Sequence, residues 1–144
     1  MIDRSKKFWT GESPEDIEEY LREYSENDHL DYRAVLCRRC GNNALELRVD
    51  QDESVIQVKC PVCGSKKILL DGEDYWKDAS PRLRKCSVCK QCKQFNVRIG
   101  FDRRENGDVR WVYEGERCVN CGTLGSFLDW KIDYVPTSEM EQNL

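Results

Sequence analysis

Nine cysteines are the residues of this 144-residue chain whose type and spacing are best suited to chemistry. They fall into four C-x-x-C groups, one of which is extended by a further cysteine. A C-x-x-C turn, or knuckle, can present two thiolates to one ion, and structural zinc takes four such ligands in a tetrahedron. The groups are Cys37 and Cys40, Cys60 and Cys63, Cys86 with Cys89 and Cys92, and Cys118 and Cys121.

Zinc binding explains this pattern better than disulfide bonding does. The number of cysteines is odd, and the first residues lead into no apolar stretch typical of a secretion signal. A redox dithiol suits a single C-x-x-C group, but not four groups in succession. Nineteen residues separate Cys40 from Cys60 and 28 separate Cys89 from Cys118, which is room for two short strands and a turn. We therefore expect two structural Zn²⁺ ions per chain.

In the third cysteine group, either Cys86 or Cys92 could be the ligand that accompanies Cys89. Alignment of Arg48 with Arg98 places the counterpart of Cys40 at position 90, beside Cys89, whereas the symmetry of the hairpin favours Cys92. We favour the first of these frames, with Cys92 as the alternative to Cys86. The predicted ligands are then Cys37, Cys40, Cys60 and Cys63 for site 1, and Cys86, Cys89, Cys118 and Cys121 for site 2.

The elements that must position these cysteines are predicted to be mainly β. A first hairpin is expected from Leu45–Val49 and Val55–Lys59, and a second from Phe95–Phe101 and Val109–Tyr113 around the turn pair Asn106-Gly107. In both ribbons a Leu-Asp pair falls seven and eight residues after the last cysteine, which indicates an internal repeat. The predicted fold is a small zinc-stabilised protein with two three-stranded antiparallel zinc ribbons in tandem.

Residues 13–24 predict an amphipathic helix at the N-terminus. Ser13 and Pro14 suit its first positions, and Ile17, Tyr20, Leu21 and Tyr24 share one face. We expect residues 1–36, this helix and a strand, to pack on the first ribbon. The remaining predicted units are ribbon 1 at 37–70, an acidic-to-basic connector at 71–85, ribbon 2 at 86–135, and a flexible tail at 136–144.

Charge is segregated along the chain, although the formal net charge is only −4. Residues 1–36 hold five basic and ten acidic groups, whereas residues 82–104 hold eight basic groups and one acidic group. The basic segment suits phosphates, or it offsets the negative charge of a zinc–thiolate site. The possible binding surface comprises Arg82, Arg84, Lys85, Lys90, Lys93, Arg98, Trp111 and Tyr113.

No catalytic residue is predicted. The chain lacks the common hydrolase, phosphate-loop and metalloprotease motifs, and its one histidine, His29, lies among carboxylates as a surface residue does. We therefore expect a non-enzymatic protein with no small-molecule substrate. No apolar segment is long enough to span a membrane, and with no secretion signal we expect a cytoplasmic location.

The segment from Cys86 to Cys121 resembles the zinc ribbons of transcription elongation factor S and of small RNA polymerase subunits. The likeness lies in C-x-x-C-K at 86–90, a hairpin, and C-x-x-C-G at 118–122, roughly a quarter of the chain. That family carries an acidic Asp-Glu pair at its hairpin tip, whereas this tip reads Arg104-Glu105-Asn106-Gly107-Asp108. The resemblance therefore implies the fold and not transcript cleavage. The whole chain also looks like small uncharacterised bacterial zinc-ribbon proteins.

These observations favour a protein that binds another protein. The acidic N-terminal segment suits a basic partner, as an inhibitor or immunity-type protein would have. Nucleic-acid binding through residues 82–104 is the alternative, as in transcription-related ribbons.

Overall fold

Two antiparallel sheets, each built around one β-hairpin, form most of the protein. The computed structural model describes all residues from 1 to 144. The predicted mainly β fold with an N-terminal helix is confirmed. In chain order the elements are α1 (Asp16–Ser25), β1 (Asp31–Val35), β2 (Glu46–Asp50), β3 (Val55–Lys59), β4 (Lys66–Ile68), β5 (Arg82–Leu83), β6 (Phe95–Arg103), β7 (Val109–Cys118), β8 (Leu124–Gly125), β9 (Asp129–Lys131) and α2 (Ser138–Glu141).

Both sheets have more strands than the three expected of a ribbon. The first has the order β4-β3-β2-β5, so the connector contributes its edge strand β5. The second has the order β1-β6-β7, and β8 and β9 both pair with the far edge of β7. Neither helix has the length and apolar composition needed to cross a bilayer.

The hairpin of β6 and β7 has the register that a two-residue turn at Asn106-Gly107 would give. Phe101 faces Val112 and Gly100 faces Tyr113. The turn differs, because Gly107 at φ +95° donates its N–H to the Arg104 carbonyl and closes a three-residue loop. This loop shifts the pairing by one residue, and a bulge beside Asp102 shifts it back.

The N-terminal residues pack on the second sheet, which corrects the expectation that they pack on the first ribbon. All five residues of β1 pair with β6, on the edge of β6 that β7 leaves open. Helix α1 lies over β6, β7 and β8, where Ile17 and Leu21 are fully buried. Ile17 and Leu21 of the helix pack against the backbone of Gly115, because a glycine has no Cβ to hold the helix away.

One apolar core joins the two sheets. Leu45 and Phe95 exchange backbone hydrogen bonds of 2.9 and 2.8 Å, which link the start of one hairpin to the start of the other. Side chains of both hairpins then bury one another, among them Leu47, Val58 and Ile99. The two four-cysteine units therefore form one packed body.

Residues 136–144 were expected to form a flexible tail, but they are docked. Thr137 is fully buried and its hydroxyl accepts the backbone N–H of Val109 at 2.8 Å. The Asn143 amide donates to the carbonyls of Ile68 and Leu70 at 2.9 and 2.8 Å. These polar contacts satisfy backbone groups at the start of β7 and beside β4, whereas the polarity of the segment makes it resemble a free tail in the sequence.

Replacement of Gly115 by alanine tests whether helix α1 packs directly on the backbone of this residue. A Cβ at this position lies 2.6 Å from Ile17 Cγ2 and 2.8 Å from Leu21 Cγ. We expect the free energy of unfolding to fall by about 1–3 kcal/mol, since the helix must move outward. Gly125→Ala is the control, because its Cβ meets only Glu116 Cγ at 4.0 Å. Equal thermal midpoints for both variants would contradict this packing.

Candidate metal centres

All four knuckles share one backbone geometry. In each, the residue after the second cysteine donates its N–H to the carbonyl of the first cysteine, over 2.8–3.0 Å. The N–H of the first cysteine donates to a carbonyl five or six residues further along the chain. These two bonds fix a tight turn whose inner surface holds the two sulfur atoms. The residues after the second cysteines, all with positive φ, are Gly41, Gly64, Lys90 and Gly122.

The turns bring eight of the nine cysteines into two sets of four. Within each set all Sγ atoms lie within 4.8 Å of one another. Across the knuckles, Cys37 lies 3.5 Å from Cys63 and Cys86 lies 3.6 Å from Cys121. A tetrahedron with metal–sulfur bonds of about 2.3 Å has edges of about 3.8 Å, so each set can hold one metal ion. The sets are Cys37, Cys40, Cys60 and Cys63, and Cys86, Cys89, Cys118 and Cys121.

The third knuckle is formed by Cys86 and Cys89, and Cys92 lies outside the set. Lys90 adopts φ +59° and takes the place that glycine has in the other three knuckles. The turn is one residue longer, because Cys86 donates to the carbonyl of Cys92, six positions away. The Cys92 thiol instead donates to the Gln94 carbonyl at 3.2 Å.

Backbone N–H groups stabilise some of the thiolates directly. A hydrogen bond from the backbone of Cys63 lowers the pKa of Cys60 to about 6, and one from Gln91 lowers the pKa of Cys89 to about 6. At Cys40 the backbone N–H of Asn42 is outweighed by neighbouring sulfurs, chiefly Cys60, and the pKa rises to about 12. Four negative charges this close repel each other, so a cation is what allows all four to ionise.

The basic segment does not form one continuous free surface. Arg98 lies 3.5 Å from Glu15 and 3.7 Å from Glu18 of α1. Arg103 pairs with Asp31 and Glu141, both at 2.7 Å. Half of the eight basic residues of this segment contact other groups of the chain, and Arg104 is one of them, because it donates to the Ile132 carbonyl at 2.7 Å. Those that are exposed and form no ion pair are Arg82, Lys85, Lys90 and Lys93.

The remaining candidates of the possible binding surface contact other parts of the protein. Arg84 stacks its guanidinium 3.5 Å from the ring centre of Phe127. Trp111 donates its indole N–H to Asp129 at 3.0 Å. Tyr113 packs edge-on against Tyr24 of α1, with ring centres 6.3 Å apart. Part of the possible binding surface is therefore covered by the chain's own helix. His29 is exposed, as the sequence predicts.

Two buried carboxylates were missed by the sequence analysis. Glu114 is fully buried and Glu116 is 3% exposed, both on the core face of β7. Burial raises the pKa of Glu114 to about 7 and raises the pKa of Glu116 well above its usual range. Glu114 and Glu116 have the same even-numbered parity in the strand as Val112 and Cys118, and this shared parity is the sequence signal that marks them as inward-facing.

The chain is similar to a known protein over part of its length. Protein FdhE homolog of Aquifex aeolicus (strain VF5) is 34% identical to it over 85 residues, 57% of this chain. The match covers 22% of the Aquifex protein, so the chain spans about a fifth of that relative's length. No protein-family model matches the chain, and no solved structure is significantly similar to it.

Serine substitutions distinguish the two frames of the second site. Cys86→Ser removes a sulfur from the set of four, so we expect loss of one of two bound metal ions and unfolding of the second hairpin's knuckles. Cys92→Ser removes only a thiol that bonds to Gln94, so both ions should remain. Metal content per chain, measured after gel filtration, checks this. Loss of an ion from Cys92→Ser, with both ions kept in Cys86→Ser, would instead assign Cys92 as the ligand.

Proposed function

We propose that this chain is a non-enzymatic protein-interaction module whose fold is held by two structural zinc ions. The observation that carries the proposal is the closure of both metal centres, since each brings four cysteine sulfurs together. A catalytic zinc has three protein ligands and keeps one position open for water or substrate. Four thiolates leave no such position, so the metal contributes folding energy and no reaction.

Zinc is the metal that the donor sets favour. A tetrahedral set of four thiolates suits a soft or borderline ion, of which zinc is the usual structural choice. Cys37, Cys40, Cys60 and Cys63 would hold one ion, and Cys86, Cys89, Cys118 and Cys121 the other. When bound, zinc neutralises the repulsion between the thiolates and joins the two knuckles of each set.

A basic protein is the partner that the free acidic groups support. The acids of α1 are used within the chain, where Glu19 and Glu23 both pair with Arg4. A separate open groove of about 750 Å³ lies between the connector and α2. It contains one basic side chain, Arg38, two tyrosines, Tyr75 and Tyr134, and four acidic side chains without an ion pair, which are Asp71, Glu73, Asp74 and Glu139. An inhibitor or immunity-type role fits such an acidic surface.

Nucleic-acid binding is the second candidate, favoured by the exposed Lys85, Lys90 and Lys93 around the third knuckle. Each phosphate contact would contribute a salt dependence of about 0.9 in log K against log salt on duplex DNA. The formal charge of −4 and the internal ion pairs of Arg98 and Arg103 both weaken this candidate.

Metal analysis tests the structural part of the proposal. Protein purified without chelator should contain about two equivalents of zinc per chain, because each closed set holds one ion. A strong chelator should remove both ions and abolish the β signal in circular dichroism, because the free energy of metal binding is what stabilises the fold. Added zinc should restore the signal. Iron in both sites, or an unchanged fold after metal removal, would contradict the proposal.

Capture from a native lysate tests the partner. We expect a basic protein to be retained by the zinc-loaded chain, with or without nuclease treatment. Charge reversal at the groove, Glu73→Lys with Asp74→Lys, should abolish capture, because it removes the attraction to a basic surface. Glu105→Lys, at the exposed tip of the second hairpin, is the matched control and should retain it. Capture lost on nuclease treatment would favour the nucleic-acid candidate.

A further inference from the structure

Strand β1 is the longest outer strand of the two sheets, and its outer edge is open. It has five residues, whereas the other outer strands, β4, β5, β8 and β9, have two or three. Arg33 and Ala34 in its middle are exposed, and helix α1 lies over β6, β7 and β8. Short outer strands limit pairing with other chains, so β1 is the edge of this protein that best suits the addition of a further strand.

The direction of the backbone groups in β6 follows from its two neighbouring strands. The N–H of Glu114 in β7 donates to the Leu128 carbonyl, so Glu114 does not bond to β6. Ile99 lies directly opposite Glu114, and opposite residues of an antiparallel pair exchange either both hydrogen bonds or none. The N–H and carbonyl of Ile99 therefore point to the other side, where β1 lies. Phe95 has the same parity and bonds to Leu45 at that edge, which agrees with this direction.

The outward-facing groups of β1 follow from the same register. Arg33 lies opposite Ile99 and bonds to β6, so its neighbours Tyr32 and Ala34 direct their N–H and carbonyl groups outward. No other group of the chain bonds to these four backbone groups. The next outward carbonyl, that of Leu36, accepts an ammonium group from β4 at 2.9 Å. A strand that adds to this edge can therefore exchange hydrogen bonds with Tyr32 and Ala34.

Charge changes sign along this edge, which indicates the partner that fits it. The charged residues before the middle of β1 are acidic, and those from the middle onward are basic. When a second copy of the chain pairs antiparallel with the first, the acidic end of each copy meets the basic end of the other. A second copy therefore fits this edge better than a strand of uniform charge does. The acidic residues are Glu26, Asp28 and Asp31, and the basic residues are Arg33, Arg38 and Arg39.

One register of this strand pair is favoured by charge. A two-fold axis at Tyr32 places Asp31 opposite Arg33 of the second copy, in two symmetric pairs. Asp31 and Arg33 already form an ion pair of 2.7 Å within the chain, so four alternating charges then lie at the centre of the contact. An axis at Arg33 would instead oppose two guanidinium groups, which destabilises a strand pair. An axis at Ala34 would use Leu36, whose carbonyl is already bonded to β4.

We propose that two copies of this chain dimerise through β1, antiparallel about Tyr32, so that their second sheets become one continuous sheet. Backbone hydrogen bonds of Tyr32 and Ala34 provide the affinity, and the opposition of Asp31 and Arg33 sets the register. The contact uses none of the acidic side chains of the groove beside α2. The dimer therefore does not depend on whether that groove binds a basic partner.

Sedimentation equilibrium of the zinc-loaded chain tests the dimer. One strand from each copy makes a smaller contact than stable dimers have, so we expect a reversible dimer that forms between about 0.01 and about 1 mM chain. The mass should rise over that range from 16.9 kDa towards twice this value. Amide hydrogen exchange in ¹⁵N-labelled protein should slow at Tyr32 and Ala34 as the concentration rises. A mass of one chain at every concentration, or a dimer without protection of these two amides, would overturn the proposal.

Charge reversal tests the register. Arg33→Glu should raise the dissociation constant of the dimer at least about tenfold, because two attractive cross-strand pairs become repulsive. Lys77→Glu makes the same change of charge at an exposed residue outside the contact, and it should leave the dissociation constant unchanged. Equal dissociation constants for the two variants would contradict the opposition of Asp31 and Arg33.

A mixture of two variants gives a positive result that a folding defect cannot imitate. Asp31→Lys should also weaken self-association, and it should fold, because Arg103 keeps its ion pair of 2.7 Å with Glu141. Mixed with Arg33→Glu, it should form a heterodimer at concentrations where the unaltered chain dimerises, since every opposed pair is then attractive. A mixture that stays monomeric would rule out the axis at Tyr32.

Proline at position 34 blocks the edge without removing a hydrogen bond of the fold. The Ala34 N–H points outward, and proline is tolerated in an edge strand where the N–H faces solvent. Ala34→Pro should therefore keep its zinc and its thermal midpoint but remain monomeric at the highest concentration. Ala34→Val retains the N–H and should dimerise like the unaltered chain. Dimerisation of the folded proline variant would contradict pairing through β1.

Discussion

Mutual repulsion between closely spaced thiolates is the constraint on which the rest of this structure depends. The four sulfurs of each set lie within 4.8 Å of one another, a spacing at which all four can ionise only around a cation. The knuckle backbone fixes that spacing through the same pair of hydrogen bonds four times. Both hairpins begin and end at these knuckles, so their register follows from where the sulfurs meet. A chain this polar has few other long-range contacts of comparable strength.

The shared core joins the two hairpins and their four-cysteine sets into one unit. Leu45 and Phe95 pair just after the first knuckle of each ribbon, which places the two sheets side by side. The open edges are then covered by short segments from elsewhere, β5 on β2 and β1 on β6. Covered edges limit pairing with other chains, and they explain why the connector and the terminal segments are ordered.

The metal sets and hairpins could be predicted from sequence because their signals are local. Cysteine spacing is measured along the chain, and strand alternation needs only neighbouring residues. The placement of α1 could not be predicted, since Ile17 and Leu21 define an apolar face without indicating which sheet it covers. The three-residue loop at Gly107 and the compensating bulge also gave no separate signal. Cys92 was ambiguous because Lys90 occupies a position where the other knuckles have glycine.

Strand β1 ends two residues before Cys37, yet it pairs with the sheet of the second ribbon. The first metal centre therefore anchors one end of a strand that protects the edge of the longest hairpin. If β1 left β6, the edge of β6 at residues 97–101 would present unpaired N–H and carbonyl groups. A second chain in the same state offers an identical β1 to that edge. An ion at the first metal centre would therefore also help to protect this strand edge from pairing with other chains.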